Sequence, residues 1–262
     1  MEKFKSIFKV NKPIIGMIHL KALPGTPKYN NSISEIIDAA ISEVEIYKSA
    51  GIDGIAIENM HDVPYLKNEV GHEITSIMSI IAHEVKKRSN LPCGIQVLSS
   101  ANKAALAIAK SAELDFIRAE GFVFGHLADE GYIDANGGEL LRYRRSINAE
   151  NIAVFTDIKK KHSSHAITSD ITIEETAKAA EYFLSDGLIV TGISTAEPAD
   201  TDEIKKIKKG CHLPVIVGSG VTINNIAQYL LISDAIIVGS YFKKAGFWAN
   251  SLEYDKIVQF MD

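Results

Sequence analysis

The sequence predicts an α/β fold: a parallel, eight-stranded (β/α)8 TIM barrel with a short N-terminal helix, taking residues 1–262 as a single domain. Three observations carry this expectation. Short β-branched runs alternate with amphipathic stretches along the entire chain. The runs count to eight, the number that closes such a barrel in about this length. The links from helix to strand are short, whereas several from strand to helix are long. An open doubly wound sheet is the competing architecture.

The elements follow in order. The opening MEKFKSIFKV places Phe4, Ile7 and Phe8 at helical spacing, so a short amphipathic helix is expected there. It reads as a plug packed on the body rather than as a membrane foot. The strand runs are IIGMIHL (14), GIAIEN (54), GIQVLS (94), FIRAEG (116), IAVFTDI (152), GLIVTG (187), PVIVGSG (214) and AIIVGS (235). Helical patterns such as SISEIIDAAISEVEIYKSAG, GHEITSIMSIIAHEVKKRS, ANKAALAIAKSAE and TIEETAKAAEYFLSD lie between them. Strands covered by helices on one side and a core on the other read as near-continuous apolar runs. The long links are KALPGTPKYNNS, MHDVPYLKNEV, FVFGHLADEGYIDANGG and KKKHSSHAITSD, after the first, second, fourth and fifth strands. Long loops in a compact domain are usually functional or disordered, and these gather on the face where barrels carry active sites.

Composition narrows the function classes. The chain is 46% hydrophobic and 23% charged, with a formal net charge of -5. A nucleic-acid surface needs concentrated positive charge, and none is expected here. The densest basic run, KKIKKGC at Lys205–Cys211, reads as the exposed face of one short helix. No apolar run reaches the length of a membrane span, and the N-terminus lacks the apolar core of a signal peptide. Cys93 and Cys211 are far apart and beside strand beginnings, which gives no disulfide framework and no zinc spacing. The expectation is a reducing cytoplasm and no catalytic cysteine.

Alternation along each strand separates the two faces. In IAVFTDI the β-branched residues Ile152, Val154, Thr156 and Ile158 suit helix packing, so Asp157 belongs to the barrel interior. The same parity sends His19, Glu58, Gln96, Arg118, Glu120 and Thr191 inward. Glu58, Glu120 and Asp157 sit near the last residues of their strands, where an unpaired buried charge costs several kcal/mol or more. They are candidate acid/base groups. Asn59, Gln96, Arg118 and Thr191 are candidate substrate contacts, with internal pairing of Arg118 to a carboxylate as the scaffold alternative. A divalent cation held by the carboxylates and a histidine is a minority reading, since no compact ligand motif such as HExxH occurs. No cofactor is expected.

After Asp157 the run IKKKHSSHA brings Lys159, Lys161, His162 and His165 to the rim. A histidine exchanges protons near neutral pH, and a lysine stabilises a developing oxyanion. Lys161 and His162 are therefore candidate catalytic residues, against the alternative of a solvated basic loop. His61, His72 and His126 lie in or beside other rim loops and read as surface residues. HLADEGYIDANGGEL reads as a lid, with Gly137–Gly138 as its hinge. Two Gly-Ser turns, VGSGVT and VGSYFK, follow the seventh and eighth strands. Backbone N–H groups at such turns cradle anions, so Gly218, Ser219, Gly220, Gly239 and Ser240 form the expected phosphate site.

The blocks PIIGMIHLKALPGTP, GIDGIAIENMHDVPY, FIRAEGFVFG, DIKKKHSSH and AIIVGSYFKKAGFWANSLE, taken together and in order, resemble the BtpA family, also called the BtpA/SgcQ family. The matching pattern surrounds His19, Glu58–Asn59, Glu120–Gly121, Asp157, Lys161–His162 and Gly218–Gly220. The resemblance implies a barrel like those of the ribulose-phosphate-binding group. It also implies links to photosystem I biogenesis in phototrophs and, through the SgcQ branch, to nucleosidase or sugar-phosphate enzymes of sugar-related operons. Two functions are therefore expected to compete. One is a homo-oligomeric enzyme acting on a small phosphorylated sugar or ribose-containing metabolite. The other is a non-catalytic assembly factor, whose partner surface would be the aromatic part Tyr241, Phe242, Phe247, Trp248 and Tyr254.

Overall fold

In the computed structural model, which describes residues 1–30 and 32–262, the β-branched runs become strands and the amphipathic runs become helices. The first half comprises α1 (Glu2–Ile7), β1 (Ile14–His19), α2 (Ile33–Ser49), β2 (Gly54–Glu58), α3 (His72–Ser89), β3 (Cys93–Gln96), α4 (Asn102–Ser111) and β4 (Phe116–Ala119). Then come β5 (His126–Ala128), β6 (Gly131–Ile133), α5 (Gly137–Ser146), β7 (Ala153–Asp157), β8 (Ser163–Ser164), α6 (Ile173–Tyr182) and β9 (Gly187–Val190). The chain ends with α7 (Thr201–Gly210), β10 (Val215–Val217), α8 (Ile226–Ile232), β11 (Ala235–Val238) and α9 (Tyr254–Met261). Two helices start on capping boxes, Ser32 with Glu35 and Thr172 with Glu175, which satisfy otherwise orphaned first-turn donors.

Eight strands close in the order β1-β11-β10-β9-β7-β4-β3-β2, with parallel neighbours throughout. The chain is thus a (β/α)8 TIM barrel, and the open doubly wound sheet is excluded. Register places His19 beside Glu58 and Glu58 beside Gln96, so their side chains share one layer at the barrel mouth.

Two apolar layers hold the barrel. Outward residues such as Ile55, Ile57, Val154, Leu188 and Val217 pack against the helices. Inward residues Ile15, Met17, Phe116, Phe155, Ile189 and Ile237 fill the interior. Helix α1 plugs the floor: Phe4 and Phe8 are buried, with ring centroids 6.0 Å from Phe155 and 5.8 Å from Phe116 respectively. Gly94 leaves room for this cluster, because a Cβ there would lie 2.1 Å from the Phe116 ring.

The FVFGHLADEGYIDANGG segment folds into the β5–β6 hairpin, and β8 joins it to make a three-stranded antiparallel sheet beside the mouth. Gly137–Gly138 does not form a hinge. Both residues belong to the first turn of α5, and Gly137 lies so close to Phe122 that a Cβ would come within 2.6 Å of its carbonyl oxygen. The basic run at Lys205–Gly210 is the exposed end of α7, which buries Ile204 and Ile207. Among the described residues, no helix is long and apolar enough to cross a membrane.

Candidate active site

A cavity of about 130 Å³ opens at the carboxyl ends of the strands. Its lining brings His19, Glu58, Arg118 and Lys161 together with Gly218–Thr222 and Gly239–Tyr241, and Gly239 lies so near His19 that a Cβ there would be 3.3 Å from the imidazole ring. Met17 and Ile237 form its apolar floor, and Thr195 and Ala196 its rim. The structure therefore brings six of the expected groups into the lining of one cavity: His19, Glu58, Arg118, Lys161 and the two Gly-Ser turns.

His19 ends β1 with its ring buried against the main chain. Its Nδ1 lies 3.0 Å from the Trp248 carbonyl oxygen, an atom that only accepts, so Nδ1 carries the proton. Burial first, and then the nearby Lys243 cation, pull the ring's pKa down to about 3, despite the favourable backbone bond to Trp248. The ring is neutral at physiological pH, and Nε2 presents a lone pair 3.6 Å from Glu58 Oε2. These two groups are placed to hold one proton between them or to share a ligand hydroxyl.

Arg118 and Asp157 form a bidentate pair, Nε to Oδ2 and Nη2 to Oδ1, both 2.7 Å. Both side chains are buried. This is the scaffold alternative for Arg118, and it corrects the expectation of Asp157 as a free acid/base group: both its oxygens accept from the guanidinium. Burial opposes the Arg118 charge, while Asp157 holds its pKa above the ordinary value. Glu120 is likewise engaged. It accepts from Gln96 Nε2 and the Ser100 amide, each at 3.0 Å, and lies 3.6 Å from Lys160 Nζ. Burial pushes its carboxyl upward and Lys160 pulls it back. Gln96 thus holds Glu120 rather than lining the cavity, and its Oε1 is buried without a partner, as is Thr191 Oγ1.

Asn59 does not face the cavity. It donates to Asp62 at 2.9 Å and accepts from the Leu98 amide at 2.8 Å, while Asp62 accepts from the Leu23 amide at 2.8 Å. It ties together the loops after β1, β2 and β3, which corrects its assignment as a substrate contact. His162 is also displaced from the expected role. It is exposed, and its Nε2 accepts from the Thr195 amide at 3.2 Å and from Thr195 Oγ1 at 2.9 Å. Burial first, and then the neighbouring Lys161, lower its pKa, which keeps Nε2 free to accept. His162 thereby clips the 192–198 segment over the mouth.

The Gly-Ser turns are shaped by contact as well as conformation. Gly220 has φ +65°, and a Cβ there would lie 2.2 Å from the Glu197 main chain. The Ser219 hydroxyl donates to the Glu197 carbonyl at 2.8 Å and accepts from the Gly192 amide at 3.1 Å. Ser219 therefore offers its main chain, not its hydroxyl, to the cavity. After β11 the single 3-10 turn Ser240–Phe242 uses the Phe242 and Lys243 amides, bonded to Gly239 and Ser240. The amides of Ser240 and Tyr241 precede those bonds at the turn's start, beside the cavity.

Several residues escape sequence reasoning. Lys160, Thr195 and Ala196 gave no periodic signal, and Trp248 reaches His19 across 229 positions of chain. Lys243 is buried and paired with Glu43 at 2.6 Å, a contact that only the closed barrel creates. Among the described residues, no group of three His, Cys, Asp or Glu is arranged to hold a metal ion. Arg118 and Lys160 engage Asp157 and Glu120 respectively.

The fold is shared widely. (S)-3-O-geranylgeranylglyceryl phosphate synthase from Thermoplasma acidophilum superposes with a TM-score of 0.60 at 16% identity, over 99% of this chain and 95% of that one. N-(5'-phosphoribosyl)anthranilate isomerase from Pyrococcus furiosus superposes with a TM-score of 0.56 at 12% identity, over 95% and 96% of the chains. At such identities the likeness concerns the fold. Sequence relatives are nearer. An uncharacterized mitochondrial protein of Caenorhabditis elegans is 46% identical over 257 residues, covering 96% of this chain and 92% of the relative. The photosystem I biogenesis protein BtpA of Synechocystis is 30% identical over 263 residues, covering 100% of this chain and 91% of its own. The BtpA family model matches residues 10–262, and with these relatives it establishes that the chain belongs to the BtpA family.

Proposed function

We propose that this barrel is an enzyme that acts on a phosphorylated sugar or ribose-containing metabolite by acid/base chemistry. One observation carries the reading: one cavity is lined by both glycine turns together with a neutral imidazole, a carboxylate and a lysine. The turn amides suit a phosphate. His19 Nε2 and Glu58 suit proton transfer at a carbon or hydroxyl held beside them. Arg118, fixed by Asp157, supplies positive charge at that point without leaving its partner. Isomerisation, epimerisation, lysis and glycosidic hydrolysis all use such groups. The named fold neighbours include enzymes of phosphorylated compounds, among them a synthase crystallised with sn-glycerol-1-phosphate, and this supports the substrate class.

The test is binding of inorganic phosphate, followed by amide chemical shifts and thermal unfolding. The expected result is shifts at Ser219, Gly220, Ser240 and Tyr241. A ligand at 100 times its Kd adds about 2.7 kcal/mol of apparent stability. Unshifted turn amides, with no stabilisation by phosphate or a panel of sugar phosphates and nucleosides, would overturn the reading. The name of the Synechocystis relative favours one alternative, a non-catalytic assembly factor. Full retention of a defined protein complex by a Glu58→Gln, His19→Asn variant would support it.

A further inference from the structure

Among the described residues, the mouth and its rim hold four buried or half-buried lysines, Lys159, Lys160, Lys161 and Lys243, and they are not equivalent: Lys159 donates to the Ile171 carbonyl at 3.0 Å. Lys160 pairs with Glu120 at 3.6 Å, and Lys243 pairs with Glu43 at 2.6 Å. Lys161 enters none of the ion pairs found among the described residues. Its amine lies 3.5 Å from Thr195 Oγ1 and lines the cavity beside His19, Glu58 and Arg118. The charges of Glu58, Asp157 and Glu120 reach it, but Asp157 is saturated by Arg118 and Glu120 is held by Lys160 and Gln96. Desolvating an ammonium that has no carboxylate paired to it is costly, so burial lowers the pKa of this amine. The fixed Arg118 guanidinium works in the same direction.

We propose that Lys161 is a covalent nucleophile that forms an imine with the carbonyl carbon of a phosphorylated aldehyde or ketone held in this cavity. The proposal rests on the phosphorylated-substrate reading and narrows it to carbonyl substrates. Lysines are activated for this chemistry by desolvation or by an adjacent cation, and Lys161 has both. The neutral amine adds its lone pair to the carbonyl carbon, forming the C–N bond as the C=O π pair moves to oxygen. A proton passes from nitrogen to that oxygen and gives the carbinolamine. The C–O bond then breaks, water departs, and the imine remains, so one carbonyl and one amine become one imine and one water. Glu58 and the His19 Nε2 lone pair stand beside the amine to carry the two protons involved. Protonated to the iminium, this group would then acidify the adjacent carbon, with the Glu58 carboxylate placed to take the proton.

Two measurements on the full wild-type chain test this. The first is competitive labelling of all lysines by a small acylating reagent across a pH series, read by peptide mass. Lys161 is expected to become reactive at lower pH than the exposed Lys5 and Lys9; a midpoint coinciding with theirs would overturn the proposal whatever the true carbonyl. The second is trapping of dihydroxyacetone phosphate or glyceraldehyde 3-phosphate with cyanoborohydride, which reduces an imine to a stable secondary amine. A single adduct at Lys161, suppressed by inorganic phosphate and lost in Lys161→Arg, is the expected outcome. Labelling spread over surface lysines in proportion to their exposure would count against it. If phosphate shifts the turn amides but Lys161 titrates ordinarily, the imine fails and the phosphorylated-substrate reading stands. If the turn amides do not respond, that reading fails independently of the labelling.

Discussion

At the scale of single residues, the mouth is organised by which charges are paired. Replacing Asp157 with Asn leaves the Arg118 guanidinium buried without its partner, and breaking one member of such a pair costs about 3–5 kcal/mol. Denaturant unfolding should show that loss, with the Arg118→Met, Asp157→Asn double variant recovering part of it. His19 supplies a pH signature. Its folded pKa, about 3, is depressed below the unfolded value of ~6.5, so the unfolded chain takes up the proton first as pH falls. Its contribution to stability is complete above ~6.5 and is lost on descent toward 3. Between pH 7.5 and pH 4.5 it should amount to about 2–3 kcal/mol, measured as the difference between wild type and His19→Asn. Equal pH slopes for the two proteins would contradict the neutral assignment. Inward parity, and with it the placement of His19, Glu58, Arg118, Glu120 and Asp157, was legible from alternation alone. Which of them remain free was not, because pairing depends on neighbours such as Lys160 that share no sequence period with them.

At the scale of elements, helix α1 and the glycine turns make separable predictions. Phe4→Ala and Phe8→Ala each remove a buried ring from the barrel floor and should cost about 3 kcal/mol or more. Gly220 and Gly246 both have positive φ, +65° and +66°, yet only Gly220 lies against other backbone. Gly246→Ala should cost about 1–2 kcal/mol for the left-handed conformation alone. Gly220→Ala should cost clearly more and dislodge the 192–198 segment, as chemical unfolding and the Thr195 amide resonance would report. The strands and long helices were legible because their periods persist over many residues. The β5–β6 hairpin and β8 were not: each strand is two or three residues long, too short for alternation to register. Gly137–Gly138 misled for a related reason, since a glycine pair signals a hinge, a close contact or a helix start equally well.

At the scale of the whole molecule, the plugged floor leaves the strand ends at the mouth as the approach to the polar interior. Phosphate binding should therefore slow amide hydrogen exchange in the turns after β10 and β11 and in the 193–197 segment. The short links on the opposite face, such as 112–115 and 185–186, should be unaffected. Protection that appeared on the floor instead would displace the site. The barrel itself was legible because eight strand-helix units in this length have few other ways to bury all their apolar strands. The function is less so: the fold alone does not set the reaction, and the proposed imine chemistry would turn on one lysine at the mouth.

The bond that fixes the His19 tautomer ends on a main-chain carbonyl, that of Trp248. Any residue at 248 would carry the same oxygen, so an alanine scan would credit that position with an aromatic ring and nothing more. The information that sets the His19 tautomer is stored in the path of the loop. It is therefore robust to point substitution and vulnerable to insertions, deletions or prolines between Lys243 and Leu252, so variation in this segment should reveal tolerance to side-chain changes and intolerance to changes of length or to proline.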